Sequence, residues 1–332
     1  RSPSTCSRAA TMSRWCRDSC AIGEPGHTDT VIEPVLAPEV AEALHEGRPV
    51  VALESTIFSH LGLPSPANRE ALDRCLAAVV ANGAVPAVTA VLDGVPRVGV
   101  SEDEHDRILG AARKSAERDI PVAIAQGWEF GATTVSAALA LASAAGISVF
   151  ATGGIGGVHR EVADTGDVSA DLDAIASHPL VTVCAGAKAF LDLARTLEHL
   201  ETAGVPVLGW RHDELPAFYT RSSGLRVPHR VESADEVAAV LAARTRPERG
   251  VLLTVPIPAD DELDPTTIDS ALADALADAA AEGVRGAAVT PFVLARISAA
   301  TDGDSVPANL ALAENNAAVA AEVAVAVSSR GR

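Results

Sequence analysis

The sequence is almost without lysine. Of its 26 basic residues only Lys114 and Lys188 carry an amine; the others are arginine. Arginine serves at surfaces and pairs with carboxylates at least as well as lysine, but it stays charged and cannot become a neutral amine nucleophile. The scarcity therefore draws attention to the place where an amine is kept. Lys188 ends the stretch Val181-Thr182-Val183-Cys184-Ala185-Gly186-Ala187-Lys188, which reads as a buried strand, a glycine turn and a presented amine. A desolvated lysine in that position can attack a carbonyl-like carbon and form a Schiff base. The bland alternative is a residual surface lysine.

Other shortages bound the answer. Aromatic residues make up 3 % of the chain against 48 % apolar residues, so the core must be built from Ala, Val, Leu and Ile. There is no basic stripe, and the net charge is −18. That argues against a nucleic-acid surface and says little about fold. No apolar run reads as long enough to span a membrane. The cysteines, Cys6, Cys16, Cys20, Cys75 and Cys184, form no regular framework, which fits a reducing compartment. Cys16, Cys20 and His27 match no closed zinc spacing. Residues 1–30 have neither an apolar period nor the hydrophobic segment of a secretory signal, and are expected to be a disordered extension.

From Ile32 onward strands and helices alternate. The expected strands include 49–53, 87–92, 97–100, 122–125, 148–151, 181–184, 205–209 and 251–255. The expected helices include 38–46, 66–82, 133–145, 190–203, 234–244, 266–282 and 307–327. A further helix opens at the Ser101–Glu104 capping box and runs toward Lys114. The alternation predicts an α/β fold, three-layer α/β/α with a mostly parallel central sheet, as a single domain over residues 31–328. Ligands of such sheets sit beyond the carboxyl ends of strands, where Glu54, a glycine loop and Lys188 all fall.

Glu54 follows the apolar run Val50-Val51-Ala52-Leu53. Burial there raises a carboxyl pKa, which suits a general acid at neutral pH; an acid capping the next turn is the alternative. The loop Gly153-Gly154-Ile155-Gly156-Gly157 lacks dinucleotide spacing but lets backbone N–H groups approach an anion, and His159 and Arg160 follow it. Asp167, Ser169 and Asp171 suit either a hard cation or a helix N-cap, and the two roles are compatible. Asn309, Asn315 and Asn316 interrupt an apolar helix and read as pocket residues or as structural hydrogen-bonders.

Taken together, the motifs Val51 to Thr56, Gly83 to Ala87, Gly131 to Val135, Phe150 to Arg160, Asp167 to Leu172, Val183 to Lys188 and Pro216 to Tyr219 resemble the pseudouridine-5′-phosphate glycosidase family. Pro256-Ile257-Pro258, Thr290-Pro291-Phe292 and the Asn309–Asn316 helix extend the resemblance over Ile32 to Val327. The resemblance implies a cytoplasmic homotrimer that splits pseudouridine 5′-phosphate into uracil and ribose 5-phosphate with manganese or another divalent metal. It implies Lys188 as nucleophile, Glu54 as proton donor and Asp167 as metal ligand. Lys114, Val135, Ser169, Ala170, Asp171, His159 and Asn309 would contact substrate. The chain departs from the family by an extra residue in the Ser59–Gly62 turn and by a shorter helix before Lys114. Three rival readings are a related C-ribosyl enzyme acting on another base, a Schiff-base aldolase acting on a sugar phosphate, and a non-catalytic sugar-phosphate binding protein.

Overall fold

The computed structural model describes residues 32–330. The expected disorder of residues 1–30, and the Cys16, Cys20 and His27 grouping, lie outside the described residues. In chain order the elements begin with β1 (Val35–Leu36), α1 (Pro38–His45), β2 (Val50–Leu53), α2 (Ala67–Ala81), β3 (Val85–Leu92) and β4 (Val95–Val98). Next come α3 (His105–Leu109), β5 (Lys114–Ser115), α4 (Ile120–Gln126), β6 (Phe130–Thr133), α5 (Val135–Ala144) and β7 (Val149–Ala151). They are followed by α6 (Val162–Thr165), α7 (Ala170–Ser177), β8 (Val181–Cys184), α8 (Leu193–Thr202), β9 (Val207–Trp210) and β10 (His229–Val231). The chain closes with α9 (Ala234–Ala242), β11 (Val251–Thr254), α10 (Pro265–Ala281), α11 (Val289–Ala300) and α12 (Ser305–Arg330).

One sheet runs β1-β4-β3-β2-β7-β8-β11-β9-β10, with β6 joining β3 and β5 joining β6. All pairings are parallel except those of β3 with β4 and with β6. The expected α/β architecture with a mostly parallel sheet is therefore the observed one. The central strands β2, β7, β8 and β11 are buried along their whole length, as strands covered on both faces must be. On one side α12 packs on α2, α9 and strands β2, β7 and β8; on the other, α5 packs on α7, β2, β3 and β7.

Several elements differ from expectation. Residues 122–125 form part of α4, not a strand. Pro121 sits in its first turn and Gly127 closes it at φ +60°, a start and stop that favour a helix. Val122 and Ile124 are each 41 % exposed, so the apolar run is a helix surface and not a buried strand. The capping box Ser101–Glu104 forms, but it opens one short turn and the five-residue α3; Lys114 lies beyond it on β5. Thr133 belongs to β6, and α5 starts two residues later. The strands β1, β5, β6 and β10 and the helices α6 and α11 are additional. Finally, α12 is long and apolar enough to cross a membrane by length and composition, contrary to the sequence reading, but 67 % of its apolar window is buried within the fold. It is the spine of the helical layer packed on β2, β7 and β8.

Candidate active site

Register sets the floor of the site. In the β2–β7 pair Leu53 lies opposite Ala151, and in the β7–β8 pair Ala151 lies opposite Val183. The next residues, Glu54, Thr152 and Cys184, therefore leave the sheet at the same level. Beyond Cys184 the chain still runs beside the glycine loop. Ala185 N–H donates to the Gly153 carbonyl at 2.9 Å, Ile155 N–H to Gly186 at 3.1 Å and Lys188 N–H to Ile155 at 3.1 Å. Gly186 turns at φ +82°, where an added Cβ would stand 2.3 Å from the Pro216 carbonyl oxygen. Only glycine accepts both conditions, and this turn carries Lys188 up to the cavity.

Glu54 is fixed by its neighbours. Ser55 and Thr133 exchange bonds: Ser55 N–H to Thr133 Oγ1 at 3.2 Å and Thr133 N–H to Ser55 Oγ at 2.9 Å. Thr56 Oγ1 donates to the Thr133 carbonyl at 2.8 Å, and Thr89 Oγ1 to the Leu53 carbonyl at 3.0 Å. Glu54 as a residue is 7 % exposed, and its carboxyl accepts the Thr152 hydroxyl on Oε1. Burial pushes it up to about 7; the Lys188 charge, the Thr152 hydroxyl and Lys114 oppose that rise and Asp171 adds to it. The acid form is thus substantially populated near neutrality, which general-acid chemistry requires.

A cavity of about 290 Å³ lies above this floor. It gathers Glu54, Lys114, Val135, His159, Asp167, Ser169, Ala170, Asp171 and Lys188, from six separate stretches of chain. Lys114 is half-buried on β5; burial and the nearby Lys188 charge lower its pKa, while Glu54 and Asp171 raise it. Val135 opens α5, and Ser169 caps α7 by accepting the Asp171 N–H at 3.2 Å. Helix N-termini carry partial positive charge, so α5 and α7 both favour a negative group here. Asn309 is not among the lining residues. Its amide donates to Tyr219 Oη at 3.0 Å, within the core.

Two N–H groups of the glycine loop are taken by the protein itself, that of Ile155 by the Gly186 carbonyl and that of Gly156 by a carboxylate. Gly156 N–H donates to Asp171 Oδ2 at 2.8 Å, and Val158 N–H to Thr196 Oγ1 at 3.0 Å. The anion met by Gly156 is the protein's own carboxylate. An added Cβ at Gly156 would lie 2.2 Å from Ser169 Oγ, which explains the glycine by close approach of α7. Arg160 is likewise engaged, its guanidinium donating to the Phe190 carbonyl at 3.1 Å.

Asp167 is 39 % exposed on its side chain and stands 3.8 Å from His159 Nε2. Among the described residues no group of three or more His, Cys, Asp or Glu side chains is arranged to hold a metal ion. One half-exposed carboxylate beside an imidazole is a poor zinc site. It does fit a hard cation that keeps most of its water and takes further oxygen ligands from a substrate.

Thr152 was visible in the sequence only as the residue before the glycines, and nothing local marked it as a partner of Glu54. Arg118, Thr134, Ser136, Gly286 and Thr290 also line the cavity. Thr290 lies in a motif that carried the resemblance, yet its place at the rim depends on the α10–α11 hairpin, which sequence spacing does not reveal.

Residues 39–326 match the family described as indigoidine synthase A like protein. A pseudouridine-5′-phosphate glycosidase of Herpetosiphon aurantiacus is 51 % identical over 297 residues, covering 88 % of this chain and 97 % of the relative. The glycosidase of that name from Arabidopsis thaliana is 46 % identical, covering 88 % and 90 %. Among solved structures, the prealnumycin C-glycosynthase AlnA in complex with ribulose 5-phosphate superposes with a TM-score of 0.82 at 38 % identity, covering 90 % of this chain and 97 % of that one. An indigoidine synthase A-like protein from Thermotoga maritima gives 0.78 at 37 %, covering 85 % and 94 %.

Proposed function

The chain belongs to the pseudouridine-5′-phosphate glycosidase family, and on that premise we propose that it splits pseudouridine 5′-phosphate into uracil and ribose 5-phosphate through an imine on Lys188. The observation that carries this reading is a single cavity holding the Lys188 amine and a Glu54 carboxyl raised to about 7.

The bond to be broken joins carbon to carbon. An ordinary glycosidase protonates an oxygen leaving group between paired carboxylates; uracil bonded through C5 offers no lone pair on the bonded atom. In the proposed path the Lys188 nitrogen bonds to C1′ as the C1′–O4′ bond opens, and O4′ takes up a proton. The nitrogen lone pair then forms the C1′=N bond while the C1′–C5 bond breaks, and Glu54 delivers its proton to C5. Water adds to C1′ and releases open-chain ribose 5-phosphate and the amine. Lys114 and the N-termini of α5 and α7 supply the positive surroundings for the phosphate. Val135, Ser169, Ala170, Asp171 and His159 shape the remaining walls. Asp167, with His159 beside it, would hold a divalent cation such as manganese, which when bound supplies positive charge that orients the polar groups of the substrate. A homotrimer, a cytoplasmic location and a role in pseudouridine nucleotide catabolism belong to the same reading.

The likeness to a C-glycosynthase at 38 % identity supports a second reading, a C-ribosyl enzyme for another base. Borohydride reduction in the presence of ribose 5-phosphate, followed by peptide mapping, tests the chemistry. An adduct on Lys188 is expected, and its absence from folded, manganese-loaded protein contradicts the imine. Release of uracil from pseudouridine 5′-phosphate, measured against a panel of other C-nucleotides, separates the two readings.

A further inference from the structure

Glu54 has two carboxyl oxygens in different surroundings. Oε1 accepts the Thr152 hydroxyl. Oε2 has no hydrogen-bond partner among the described residues, and Glu54 lines the cavity whereas Thr152 does not. Thr152 is itself held on every side. It is 5 % exposed, and its N–H donates to the Val183 carbonyl at 3.0 Å. Its carbonyl accepts the Asn316 amide at 2.8 Å, and that amide also reaches the Gly153 carbonyl at 3.1 Å. Asn316 is fully buried on α12, so the spine helix grips the start of the glycine loop by one side chain.

We propose that Thr152 is a positioning residue for the acid step: its hydroxyl occupies Oε1 of Glu54, so that the transferable proton is carried on Oε2, the oxygen open to the substrate, and Asn316 holds Thr152 in the place where it can do so. This rests on the reading of Glu54 as the acid. The physical reason is the count of donors. With the proton on Oε2, the Thr152 hydroxyl donates to Oε1 and both hydrogens are directed. With the proton on Oε1, that site would contain two hydrogens and one acceptor direction between them. The Thr152 hydrogen would then have no other acceptor among the described residues, a costly state in a buried site. The charged groups acting on Glu54 are Lys188, Lys114 and Asp171, and Thr152 is the hydrogen-bond donor among its partners. Its hydroxyl favours the ionised carboxylate, so its removal moves the Glu54 titration upward.

The test compares Thr152→Val, Thr152→Ala and Thr152→Ser in the full chain with manganese. Two readouts are needed: the pH profile of uracil release, and the 13C titration of the Glu54 carboxyl without substrate. Thr152→Val and Thr152→Ala are expected to lower kcat by roughly 100-fold through loss of alignment. KM should stay within about 3-fold, because Thr152 does not line the cavity. The basic limb and the carboxyl titration should both move up by about one pH unit. Thr152→Ser, which keeps the hydroxyl, should restore the wild-type limb and most of the rate. Asn316→Ala should shift the limb in the same sense by less. A folded Val or Ala variant with the wild-type limb and titration overturns the proposal, as does a Ser variant that behaves like Val; either of the two hydroxyl-free variants suffices if the other does not fold. Wild-type protein that releases no uracil defeats the glycosidase reading instead, and the carboxyl titration then still decides the role of Thr152.

Discussion

Asp171 accepts the N–H of Gly156 at 2.8 Å on Oδ2 while its other oxygen accepts the Ser136 N–H at 3.2 Å. One carboxylate from the first turn of α7 thereby joins the glycine loop to the first turn of α5. It also acts on Glu54 through its charge, in the direction that favours the acid form. Asp171→Asn keeps the shape and removes the charge. The amide oxygen can still serve one N–H, and its NH2 group faces the other. The acid form of Glu54 loses the support of a like charge, so the basic limb of the pH–rate profile should move down. This is opposite to the shift expected for Thr152→Val. A pH profile of uracil release across pH 5–9 checks the sign, and a limb that moves up contradicts the assignment.

Gly156 offers a steric test of the same junction. A methyl group there would meet Ser169 Oγ at 2.2 Å and Asp171 Oδ2 at 2.9 Å. Neither atom belongs to a long flexible side chain, and both are tied by hydrogen bonds, so the loop must lift away from α7. Overpacking of this kind costs roughly 1–3 kcal/mol. Gly156→Ala should lower the melting temperature and reduce turnover by more than 10-fold, roughly the penalty of a misplacement near 1 Å. Gly166, which has nothing within 4 Å of an added Cβ but turns at φ +67°, is the control. Gly166→Ala should carry a backbone penalty with a much smaller effect on rate.

The buried Glu54 carboxyl sets a cost that runs with pH. Its pKa is raised from the model-compound value of 4.5 to about 7, mainly by burial. Between those values the native state holds a proton that the unfolded state has released, so stability falls as pH rises through the window. Above pH 7 the accumulated cost is about 3 kcal/mol, from 1.36 kcal/mol per pH unit. Glu54→Gln has no such charge to bury, and its amide oxygen can still accept from Thr152. The variant should therefore gain stability over wild type at pH 8 and show little gain at pH 5, in urea melts at both values. Its turnover should be lost at both.

Much of this site is legible in the sequence because its two main residues follow short buried strands, Glu54 directly after β2 and Lys188 by one glycine turn after β8. Burial and parallel pairing are then local consequences of composition, and Glu54 and Lys188 fall on one edge of the sheet. Lys114 was legible as a residue and not as an element, since a two-residue strand has no period to detect. The run Val122-Ala123-Ile124 misled for the opposite reason: its apolar character outweighed Pro121 and Gly127, the helix signals on either side. The partner of the glycine loop was beyond reach, because whether Gly156 meets a ligand or Asp171 is decided by how α7 packs. Asn309 and Asn316 lie seven residues apart on one helix. One bonds Tyr219 in the core and the other grips Thr152 and Gly153, a distinction that helical spacing alone does not make.

Lys188→Arg isolates the amine from the charge. Arginine keeps a positive group near Glu54, so the electrostatic restraint on that carboxyl persists, but it cannot form the imine. Turnover should fall by at least about 1,000-fold, the order seen when a covalent step is removed, with the melting temperature little changed. Lys188→Met removes the charge as well, and the Glu54 titration should rise above its wild-type position, because the Lys188 charge lowers it. An Arg variant with a rate near wild type removes Lys188 from the covalent role.

Metal removal should separate activity from folding. A structural zinc site binds through several protein ligands, and its binding energy is folding energy. Here the candidate donor is the half-exposed Asp167 carboxylate with His159 at 3.8 Å, and the described residues contain no cluster of three or more metal-ligating side chains. A cation held by so few protein atoms contributes little to the native state. Chelation followed by gel filtration should therefore leave the melting temperature within about 2 °C of the untreated protein, in contrast to metal-dependent folds. Uracil release should be lost and should return on addition of manganese. Asp167→Asn should need a higher manganese concentration for the same rate, with kcat at saturating manganese reduced less than in Glu54→Gln. Melting that collapses on chelation would place the cation in the fold and remove Asp167 as its main protein ligand.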